Sequence, residues 1–358
     1  RHRVAVLGGD GIGPEVTREA QAAIRLASEI FGFGVEWTDY PLGAEHYLKT
    51  KETLPPAALE AMKQHDAILL GAIGDPRLPV GMLERAIISG IRFGLDLYVN
   101  LRPIHLVAAD LCPLKGKGPE DVDLIVVREN TEDVYAGIGG FLKKGTPDEV
   151  ALQEMIFTRK GVERVVRYSF DLCRRRAKNR KLTMIDKANA VGAMDLWTRV
   201  FEEVGREYPD IAQDHAYIDA ACMWMVKNPE WFDTVVVSNM FGDIFTDLGA
   251  AIQGGMGVAA SGNIHPGRVS MFEPIHGSAP KHAGRNVASP IGAILAGQML
   301  LEYVGETEAA TLVGAAVQDL FASGRIRSTG TDSGVSTTQQ GELVRESMKR
   351  LAARPAGA

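Results

Sequence analysis

The sequence predicts an α/β fold of two lobes, in which helices cover both faces of a sheet. Short apolar strands alternate with helical stretches along the chain, which is typical of this class. The run 234–238 (TVVVS) is β-branched, as expected of a strand that is buried on both faces. The chain has 358 residues, more than one simple core accommodates, so two lobes are expected.

The strands are predicted from short runs that are rich in β-branched and other apolar residues. They are 4–7, 67–70, 98–101, 121–128, 181–186 and 234–238. Pro103 is expected to lie just past the third of them. Residues 139–158 show strand-like alternation interrupted by GTPDE, which predicts a protruding hairpin.

The helices are predicted from the longer stretches between these strands, of which 81–92 is amphipathic. They are 14–31, 56–65, 81–92, 160–176, 193–207, 218–226, 241–252, 291–303 and 308–323. The basic run 174–181 (RRRAKNRK) is interpreted as a solvated helix C-terminus, which the helix dipole favours. Residues 253–263 and 272–290 are interpreted as loops, and the tail after Ala352 is expected to be disordered.

Four glycines follow the first strand, in GGDGIGPEV (8–16), and invite comparison with a dinucleotide-binding loop. The G-x-G-x-x-G spacing fails, because Pro14 stands where the pattern that begins at Gly9 needs glycine. No acidic residue closes a βαβ unit about twenty residues later either. The sequence therefore argues against a Rossmann fold.

Composition narrows the possible partners and compartments. The formal net charge of −6 argues against nucleic acid, and no run of about 18 apolar residues predicts a membrane span. Cys112, Cys173 and Cys222 are widely spaced and odd in number, unlike a disulfide or metal framework. The N-terminus is interpreted as a strand rather than a signal peptide, so a cytoplasmic protein is expected.

Two carboxylates, Asp243 and Asp247, stand four residues apart on the helix that follows strand 234–238. They share one helix face, where they repel each other. A solvated acidic face is the simpler interpretation of such spacing. The apolar neighbours Ile244 and Phe245 and the buried strand favour instead a site for Mg²⁺ or Mn²⁺, which prefer carboxylate oxygens.

Three arginines, Arg92, Arg102 and Arg128, stand near predicted turns at strand or helix ends. Each alone is more often part of a surface ion pair. Together they would form a fork for a small di- or tricarboxylate, because guanidinium binds carboxylate through two parallel hydrogen bonds.

Three further residues are candidates with simpler alternatives. Tyr135 alone is more often a packed ring than an acid. Lys187 follows strand 181–186, where desolvation favours the neutral amine that accepts a proton. Asp219 stands at a strand-to-helix junction, where a helix N-cap is as good an interpretation as a metal ligand.

Six motifs in order along nearly the whole chain carry a family resemblance. They are NLRP (100–103), VRENTEDVYAG (127–137), IDKAN (185–189), YIDAACM (217–223), SNMFGDIFTDLGA (238–250) and FEPIHGSAP (272–280). Together they resemble the β-decarboxylating dehydrogenases, which include isopropylmalate, isocitrate, homoisocitrate and tartrate or malate dehydrogenases. The chain is most similar to the isopropylmalate branch. The resemblance implies a two-lobed α/β fold with a mixed parallel and antiparallel sheet, and metal-dependent oxidative decarboxylation of a malate-type 2-hydroxy diacid.

The resemblance also implies which residues bind the substrate and the metal ion. The substrate carboxylates are expected to bind three guanidinium groups, those of Arg92, Arg102 and Arg128. The metal ion, Mg²⁺ or Mn²⁺, is expected to bind Asp243 and Asp247 together with Asp219 of the partner subunit.

Proton transfer is assigned in the same way. Lys187 of the partner subunit is expected to take the proton of the substrate hydroxyl, and Tyr135 to protonate the carbon that loses CO₂. Asn189 is expected to lie near the nicotinamide carboxamide. Active sites shared in this way imply an obligate homodimer.

The lobes and the dimer contact follow from the resemblance as well. Residues 1–99 and 250–358 are expected to form the cofactor-binding lobe, and 100–249 the lobe for substrate and dimerisation. The hairpin within 139–158 resembles an intersubunit clasp.

The resemblance places the cofactor at 273–290 rather than at the N-terminal glycines. The expected contacts are His276, Gly277, Ser278, Ala279, Lys281, His282 and Ser289. Lys281 favours NADP over NAD, because NAD-dependent members usually carry aspartate there, and lysine can neutralise a 2′-phosphate. Lys281 as a simple surface residue is the alternative, and Ser289 departs from the usual asparagine.

Substrate choice is expected to depend on the helix face before Arg92, where Ile88 and Ser89 stand at i−4 and i−3. Isopropylmalate enzymes carry leucine-like side chains there, and isocitrate enzymes use a serine. A shift by one residue would bring Ile87 and Ile88 to the substrate instead. The sequence favours 3-isopropylmalate, with tartrate, D-malate, (homo)isocitrate and the acid of a specialised pathway as alternatives. A non-catalytic regulatory subunit and a metal phosphohydrolase are alternatives of other classes.

Overall fold

The computed structural model describes residues 1–353 of the chain, and these divide into two compact units. Unit 1 comprises Arg1–Leu97, His105–Val122 and the described residues from Ala250 onward. Unit 2 comprises Tyr98–Ile104 and Asp123–Gly249. The tail predicted to be disordered begins after Ala352, and its residues 354–358 lie outside the described residues.

The described chain contains short strands and longer helices in alternation. The strands are β1 (His2–Gly9), β2 (Val35–Asp39), β3 (Ala67–Ala72), β4 (Val99–His105), β5 (Asp123–Glu129), β6 (Gly139–Leu142), β7 (Val150–Gln153), β8 (Lys181–Asp186), β9 (Ala212–Tyr217), β10 (Thr234–Val237), β11 (Ala260–Ile264) and β12 (Ser270–Pro274). The α-helices are α1 (Gly13–Phe31), α2 (Ala44–Thr50), α3 (Pro56–Met62), α4 (Gly90–Gly94), α5 (Arg159–Arg176), α6 (Asp195–Gly205), α7 (Ile218–Lys227), α8 (Asn239–Ile252), α9 (Ile291–Tyr303), α10 (Thr307–Ala322) and α11 (Thr337–Ala352).

In unit 1 the strands lie in the order β2-β1-β3-β12-β11. β1 pairs in parallel with β2 and β3, and β12 pairs in parallel with β3. β11 runs antiparallel to β12, with Gly262 opposite Phe272. The predicted α/β fold with a mixed sheet is confirmed.

Glycines let α1 lie unusually close to this sheet. A Cβ on Gly13 would lie 2.2 Å from the backbone oxygen of Gly8 and 2.7 Å from the backbone nitrogen of Ala72. A Cβ on Gly71 would lie 2.4 Å from the same oxygen of Gly8. The N-terminal glycines therefore have a packing role, which agrees with the failed dinucleotide-binding spacing.

In unit 2 the strands lie in the order β4-β5-β10-β8-β9. β10 pairs in parallel with both β5 and β8, and β8 pairs in parallel with β9. β10 is buried along its whole length, which confirms the interpretation of its β-branched run. The predicted hairpin is also present, since β6 and β7 pair antiparallel, with Phe141 opposite Ala151.

The structure corrects two of the predicted elements. Pro103 lies inside β4, which continues to His105, rather than past the end of a strand. The helix predicted over 81–92 is interrupted: a π-helical turn spans Glu84–Ser89 and α4 follows it. A π-helical turn contains more residues than an α-helical turn. The side chains before Arg92 therefore do not point in the directions that a continuous α-helix would give them.

Several elements were not predicted, namely β2, α2, the pair β11 and β12, and α11. β11 has the sequence ASGNI, without the β-branched pattern, yet all of it is buried, and α9 packs on it. α11 carries a readable signal, because Ser336 and Gln339 form a capping box at its start.

The segment 105–122 belongs to unit 1 although it stands within the predicted second lobe. The backbone amide of Leu106 donates to the backbone oxygen of Val122, so the two ends of the segment lie side by side. The backbone amide of His105 donates to Gln253 Oε1 at 3.0 Å. The functional assignment of the two lobes stays a prediction.

No helix within residues 1–353 combines the length and the apolar character that crossing a membrane requires.

Gly13→Ala is expected to lower the free energy of unfolding by about 1–3 kcal/mol or more, because the added methyl group meets backbone atoms that cannot move aside. Gly192→Ala is the control, since a Cβ there would meet no atom within 4 Å. Urea denaturation of both variants measures the difference. Equal stability of the two variants would contradict the packing role of Gly13.

Candidate functional site

The carboxylates of Asp243 and Asp247 lie one turn apart on α8. The buried strand β10 precedes this helix and lies between β5 and β8. The helix begins at Asn239, next to the carboxyl ends of these parallel strands, where open α/β sheets bind ligands. The two side chains are 41% and 53% exposed, so a ligand can reach both.

Arg128, near the end of β5, has a side chain that is only 2% exposed. Its Nη1 donates to Asp243 Oδ1 at 2.7 Å. Its Nε donates to the backbone oxygen of Asn239 at 2.8 Å and to Oδ1 of the same residue at 3.0 Å. Gly242 leaves room for this side chain, because a Cβ there would lie 2.6 Å from Arg128 Cγ. Oxygens at the start of α8 thus compensate the buried charge.

Arg102, on β4, also faces α8. Its Nε donates to Asn100 Oδ1 and its Nη1 to Thr246 Oγ1, each at 2.7 Å. Its guanidinium nitrogens lie 3.6 Å from Asp243 Oδ1 and 3.7 Å from Asp247 Oδ1. Both predicted arginines of unit 2 therefore lie beside the two predicted metal ligands.

Tyr135 lies on a short 3₁₀ turn, Asp133–Ala136. Its hydroxyl donates to Asp243 Oδ2 at 3.0 Å, and the guanidinium carbon of Arg128 lies 5.4 Å from the ring centroid. Burial raises the pKa of Tyr135, and the neighbouring Asp243 carboxylate adds to this effect, whereas Arg128 opposes it. The phenol is therefore protonated and able to donate at neutral pH, and it is more than a packed ring.

Lys187 and Asp219 contact each other in unit 2. Nζ of Lys187, just after β8, donates to Asp219 Oδ1 in the first turn of α7, at 2.7 Å. This hydrogen bond lowers the pKa of Asp219. Within residues 1–353, no three His, Cys, Asp or Glu side chains are arranged to hold a metal ion. Asp219 is therefore not grouped with Asp243 and Asp247 within these residues, and a metal ligand from a partner subunit stays a prediction.

The donor chemistry of α8 fits a divalent cation. Asp243 and Asp247 offer only carboxylate oxygens, which Mg²⁺ and Mn²⁺ prefer. Burial raises the pKa of Asp247, and repulsion by the Asp243 carboxylate raises it further. A cation between the two carboxylates would relieve this repulsion, and two side chains leave room in its coordination shell for other oxygens.

Glu129, next to Arg128, is a buried carboxyl that the sequence analysis missed. Its Oε1 accepts hydrogen bonds from the backbone nitrogen of Thr131 at 2.7 Å and from the hydroxyl of that residue at 2.8 Å. Its Oε2 accepts from the backbone nitrogen of Glu132 at 2.9 Å. Burial raises the pKa of Glu129 to about 7, although these hydrogen bonds oppose the shift.

The predicted residues of unit 2 fall into two groups. One group surrounds Asp243, and its other members are Arg102, Arg128, Tyr135 and Asp247. The other is the pair of Lys187 and Asp219, with Asn189 exposed in the turn that follows β8.

Four polar residues near these groups were not predicted, namely Glu129, Asp133, Asn239 and Thr246. All four stand in the motifs VRENTED and SNMFGDIFTD, and all are buried. Glu129 and Asp133 stand in the polar run 128–133 (RENTED), so no local pattern marked them as buried.

In unit 1, β12 leads into the loop 275–290, which carries the predicted cofactor contacts. The backbone oxygen of Ser278 accepts a hydrogen bond from the amide of Ile12 at 2.8 Å. Nδ1 of His276 lies 3.0 Å from the oxygen of Gly277, and its buried Nε2 has no hydrogen-bond partner in the described chain. Burial lowers the pKa of His276. A neutral ring with an unpaired buried nitrogen fits a polar ligand such as a nucleotide.

The remaining predicted cofactor residues differ in exposure. Ala279 has a positive φ of 40°, Gly277 and Lys281 are exposed, and His282 is half-buried. Lys281 forms no ion pair within the described part of the chain. Ser289 is buried, and its hydroxyl donates to Gln340 Oε1 at 2.9 Å.

Two helices hold this loop in place. Glu15, in the first turn of α1, accepts hydrogen bonds from the backbone amides of Gly284 at 2.9 Å and Asn286 at 3.0 Å. The hydroxyl of Thr337, at the start of α11, donates to the oxygen of Ala288 at 2.6 Å. Contacts within the chain therefore hold this loop at both helices.

Arg92 also lies in unit 1, where its Nη2 donates to Glu273 Oε1 at 3.0 Å. Ile87 is completely buried in the core of this unit, and the alternative that brings it to the substrate stays untested. Ile88 packs against the same core, and Ser89 is half-buried at the end of the π-helical turn. The substrate-binding roles of Arg92, Ile88 and Ser89 stay predictions.

Comparison with known proteins gives consistent matches over nearly the whole chain. The family model described as isocitrate/isopropylmalate dehydrogenase matches residues 3–344. The chain is 48% identical to a 3-isopropylmalate dehydrogenase of Thermobifida fusca, over 95% of this chain and 98% of that protein. It is 49% identical to a 3-isopropylmalate dehydrogenase of Frankia casuarinae, over 99% and 100%. The crystal structure of isocitrate dehydrogenase from Methylococcus capsulatus matches with a TM-score of 0.88 and 35% identity, over 98% of this chain and 100% of that one.

The stability contributed by Glu129 is expected to fall as the pH rises. Its pKa is about 7 in the folded protein against 4.5 ordinarily, so the folded state retains the proton between these values and the unfolded state does not. The free energy of unfolding, relative to Glu129→Gln, should therefore drop by about 3 kcal/mol between pH 4.5 and pH 7.5. Urea denaturation of both proteins at several pH values measures this, and a constant difference would contradict it.

Proposed function

The chain belongs to the isocitrate/isopropylmalate dehydrogenase family, and on this premise we propose that it oxidatively decarboxylates a malate-type 2-hydroxy diacid, with 3-isopropylmalate as the favoured substrate. Membership of the family supports a decarboxylating dehydrogenase, an oxidoreductase. The observation that carries the proposal is the cluster of Arg102, Arg128 and Tyr135 around Asp243 and Asp247. The names of the relatives favour 3-isopropylmalate, and a place in leucine biosynthesis follows from that substrate.

Arg102 and Arg128 bind the substrate carboxylates in this proposal. Both guanidinium groups are held by oxygens of their own unit, so little side-chain entropy is lost when an anion binds. Their positive charge also balances the negative charge of the substrate beside Asp243 and Asp247. Uncharged analogues of the diacid should therefore bind poorly.

Two residues transfer protons in the proposed reaction, one as the acceptor and one as the donor. Lys187 of the partner subunit would take the proton of the C2 hydroxyl as C2 is oxidised, and a bound nicotinamide would supply the acceptor for the hydride. The β-carboxylate then departs as CO₂ and its bonding electrons form an enolate. Tyr135, which is protonated at neutral pH, gives its proton to the enolate carbon.

A metal ion and a nucleotide would supply the remaining chemistry. Asp243 and Asp247, with Asp219 of the partner subunit, would hold Mg²⁺ or Mn²⁺, which would supply a Lewis acid. The loop 275–290 would hold NADP, favoured over NAD, which would supply the hydride acceptor. The exposed ammonium of Lys281 supports NADP, because it can pair with a 2′-phosphate.

A homodimer is part of the proposal. The hairpin of β6 and β7 is exposed throughout, including Phe141 at 59% and Leu142 at 63%. A two-stranded hairpin with exposed apolar side chains is marginally stable by itself, so a second chain packed on it is expected. Met223 of α7 and Ile244 of α8 are also exposed, at 69% and 54%, and are further apolar side chains that a partner would cover. Lys187 and Asp219 would then complete the site of the other subunit.

The proposal is tested with the purified chain, Mn²⁺ and a panel of 2-hydroxy diacids. Formation of NADPH or NADH is measured with 3-isopropylmalate, D-malate, tartrate, isocitrate and homoisocitrate, with a chelator as the control. The expected result is metal-dependent turnover, highest for 3-isopropylmalate, with release of CO₂. If no member of the panel is oxidised, the proposal is refuted and a regulatory subunit is favoured.

Asp243→Asn is expected to lower the metal-dependent rate by at least about 100-fold, because the amide keeps the shape and loses the charge that holds the cation. Asp195→Asn is the matched control, since Asp195 is an exposed carboxylate on α6 that pairs with Arg199. Initial rates against the concentration of Mn²⁺ give the measurement. An unaltered rate for Asp243→Asn would remove this residue from the site.

Lys281→Asp is expected to shift the ratio of kcat/KM for NADP over NAD toward NAD by about tenfold or more, because aspartate repels a 2′-phosphate and accepts hydrogen bonds from free ribose hydroxyls. Lys160→Asp, which makes the same charge change on the exposed start of α5, controls for net charge. The ratio is measured with saturating substrate and Mn²⁺. A ratio that does not change would show that Lys281 does not distinguish a 2′-phosphate from a free ribose hydroxyl.

A further inference from the structure

Asp133 is a completely buried carboxylate that has no part in the reaction proposed above. It opens the short turn that carries Tyr135. Its Oδ2 accepts a hydrogen bond from the backbone amide of Met240 at 2.9 Å, and its Oδ1 accepts one from the amide of Val134 at 2.8 Å. Its own backbone amide donates to the oxygen of Ile156 at 2.8 Å.

The amide of Met240 is one of the donors that an α-helix leaves without an internal partner at its start. Asp133 supplies that partner from outside the helix, and its negative charge lies at the positive end of the dipole of α8. A second contact joins the same segments, since Asn239 Nδ2 donates to the backbone oxygen of Glu132 at 3.2 Å. The turn before Tyr135 is therefore attached directly to the start of α8.

The backbone of Asp133 shows that this attachment is specific. Its φ is +71°, in the left-handed region that favours glycine. A residue other than glycine holds such a conformation only where its surroundings fix it, and this is a frequent property of functional sites. Here the two acceptor bonds of the side chain and the bond to Ile156 fix it.

The two elements that Asp133 joins carry the two side chains that meet at the candidate site. Tyr135 stands two residues after Asp133, and Asp243 stands three residues after Met240. The hydroxyl of Tyr135 lies 3.0 Å from Asp243 Oδ2. We propose that Asp133 is a positioning residue, which holds the hydroxyl of Tyr135 beside Asp243 by fastening its turn to α8. The inference rests on the proposed function only for its kinetic consequence.

The kinetic test compares Asp133→Gly, Asp133→Asn and Tyr135→Phe, alone and combined. Glycine keeps the backbone conformation and removes both acceptors, so kcat is expected to fall about tenfold or more with little change in the KM of the diacid. Asparagine also tolerates a positive φ and keeps one acceptor, so it should restore part of kcat. In the Tyr135→Phe background, Asp133→Gly should cause no further loss, because its effect passes through the tyrosine.

Asp233→Asn is the matched control. Asp233 is also completely buried in unit 2 and accepts a hydrogen bond from the backbone amide of Asn179 at 3.0 Å. If it lowers the rate at all, it should do so by the same factor with and without Tyr135. Independent losses for Asp133→Gly and Tyr135→Phe would overturn the proposal and leave Asp133 a merely structural residue.

A second measurement does not depend on activity. The protein is labelled with 3-fluorotyrosine, and the ¹⁹F resonance of residue 135 is assigned by its absence in Tyr135→Phe. Asp133→Gly is expected to shift or broaden this resonance, whereas Asp233→Asn leaves it unchanged. An unchanged resonance in Asp133→Gly overturns the proposal. If no diacid is oxidised, the proposed function fails, and the resonance still decides the role of Asp133.

Discussion

The candidate site depends on one electrostatic arrangement, the seating of the Arg128 guanidinium against the first turn of α8. A buried charge without partners costs several kcal/mol, and the hydrogen bonds to Asp243 and Asn239 help to offset that cost for this side chain. The same contacts determine how α8 leaves the end of β10. The position of the carboxylates on α8 thus follows from the hydrogen bonds that the buried Arg128 guanidinium needs.

The groups around Asp243 form an arrangement that is unfavourable in part. Burial raises the pKa of Asp247, repulsion by the Asp243 carboxylate raises it further, and Arg102 and Arg128 oppose the shift without cancelling it. Preorganised charges of this kind are typical of catalytic sites, where stability is exchanged for interactions with the transition state. The left-handed backbone of Asp133 belongs to the same pattern of local strain near a functional site.

Sequence patterns predicted the class of the fold and most elements, because β10 and the long helices carry the apolar periodicity that burial requires. β11 was missed because its small residues are buried by α9, a tertiary effect without a local pattern. The register before Arg92 was wrong because a π-helical turn adds a residue that no periodicity reveals. The candidate residues around Asp243 were predicted from spacing and resemblance. Glu129 and Asp133 were not predicted, because what sets them apart is their burial, which the sequence does not show.

Gly242 limits how this protein can be engineered. Glycine inside a helix is unfavourable by about 1 kcal/mol relative to alanine, so a routine thermostabilisation protocol would select this position for replacement. The aliphatic stem of Arg128 occupies the space that a methyl group would need. Sequence libraries that aim at higher thermal stability should therefore keep glycine at position 242, and so should consensus redesign.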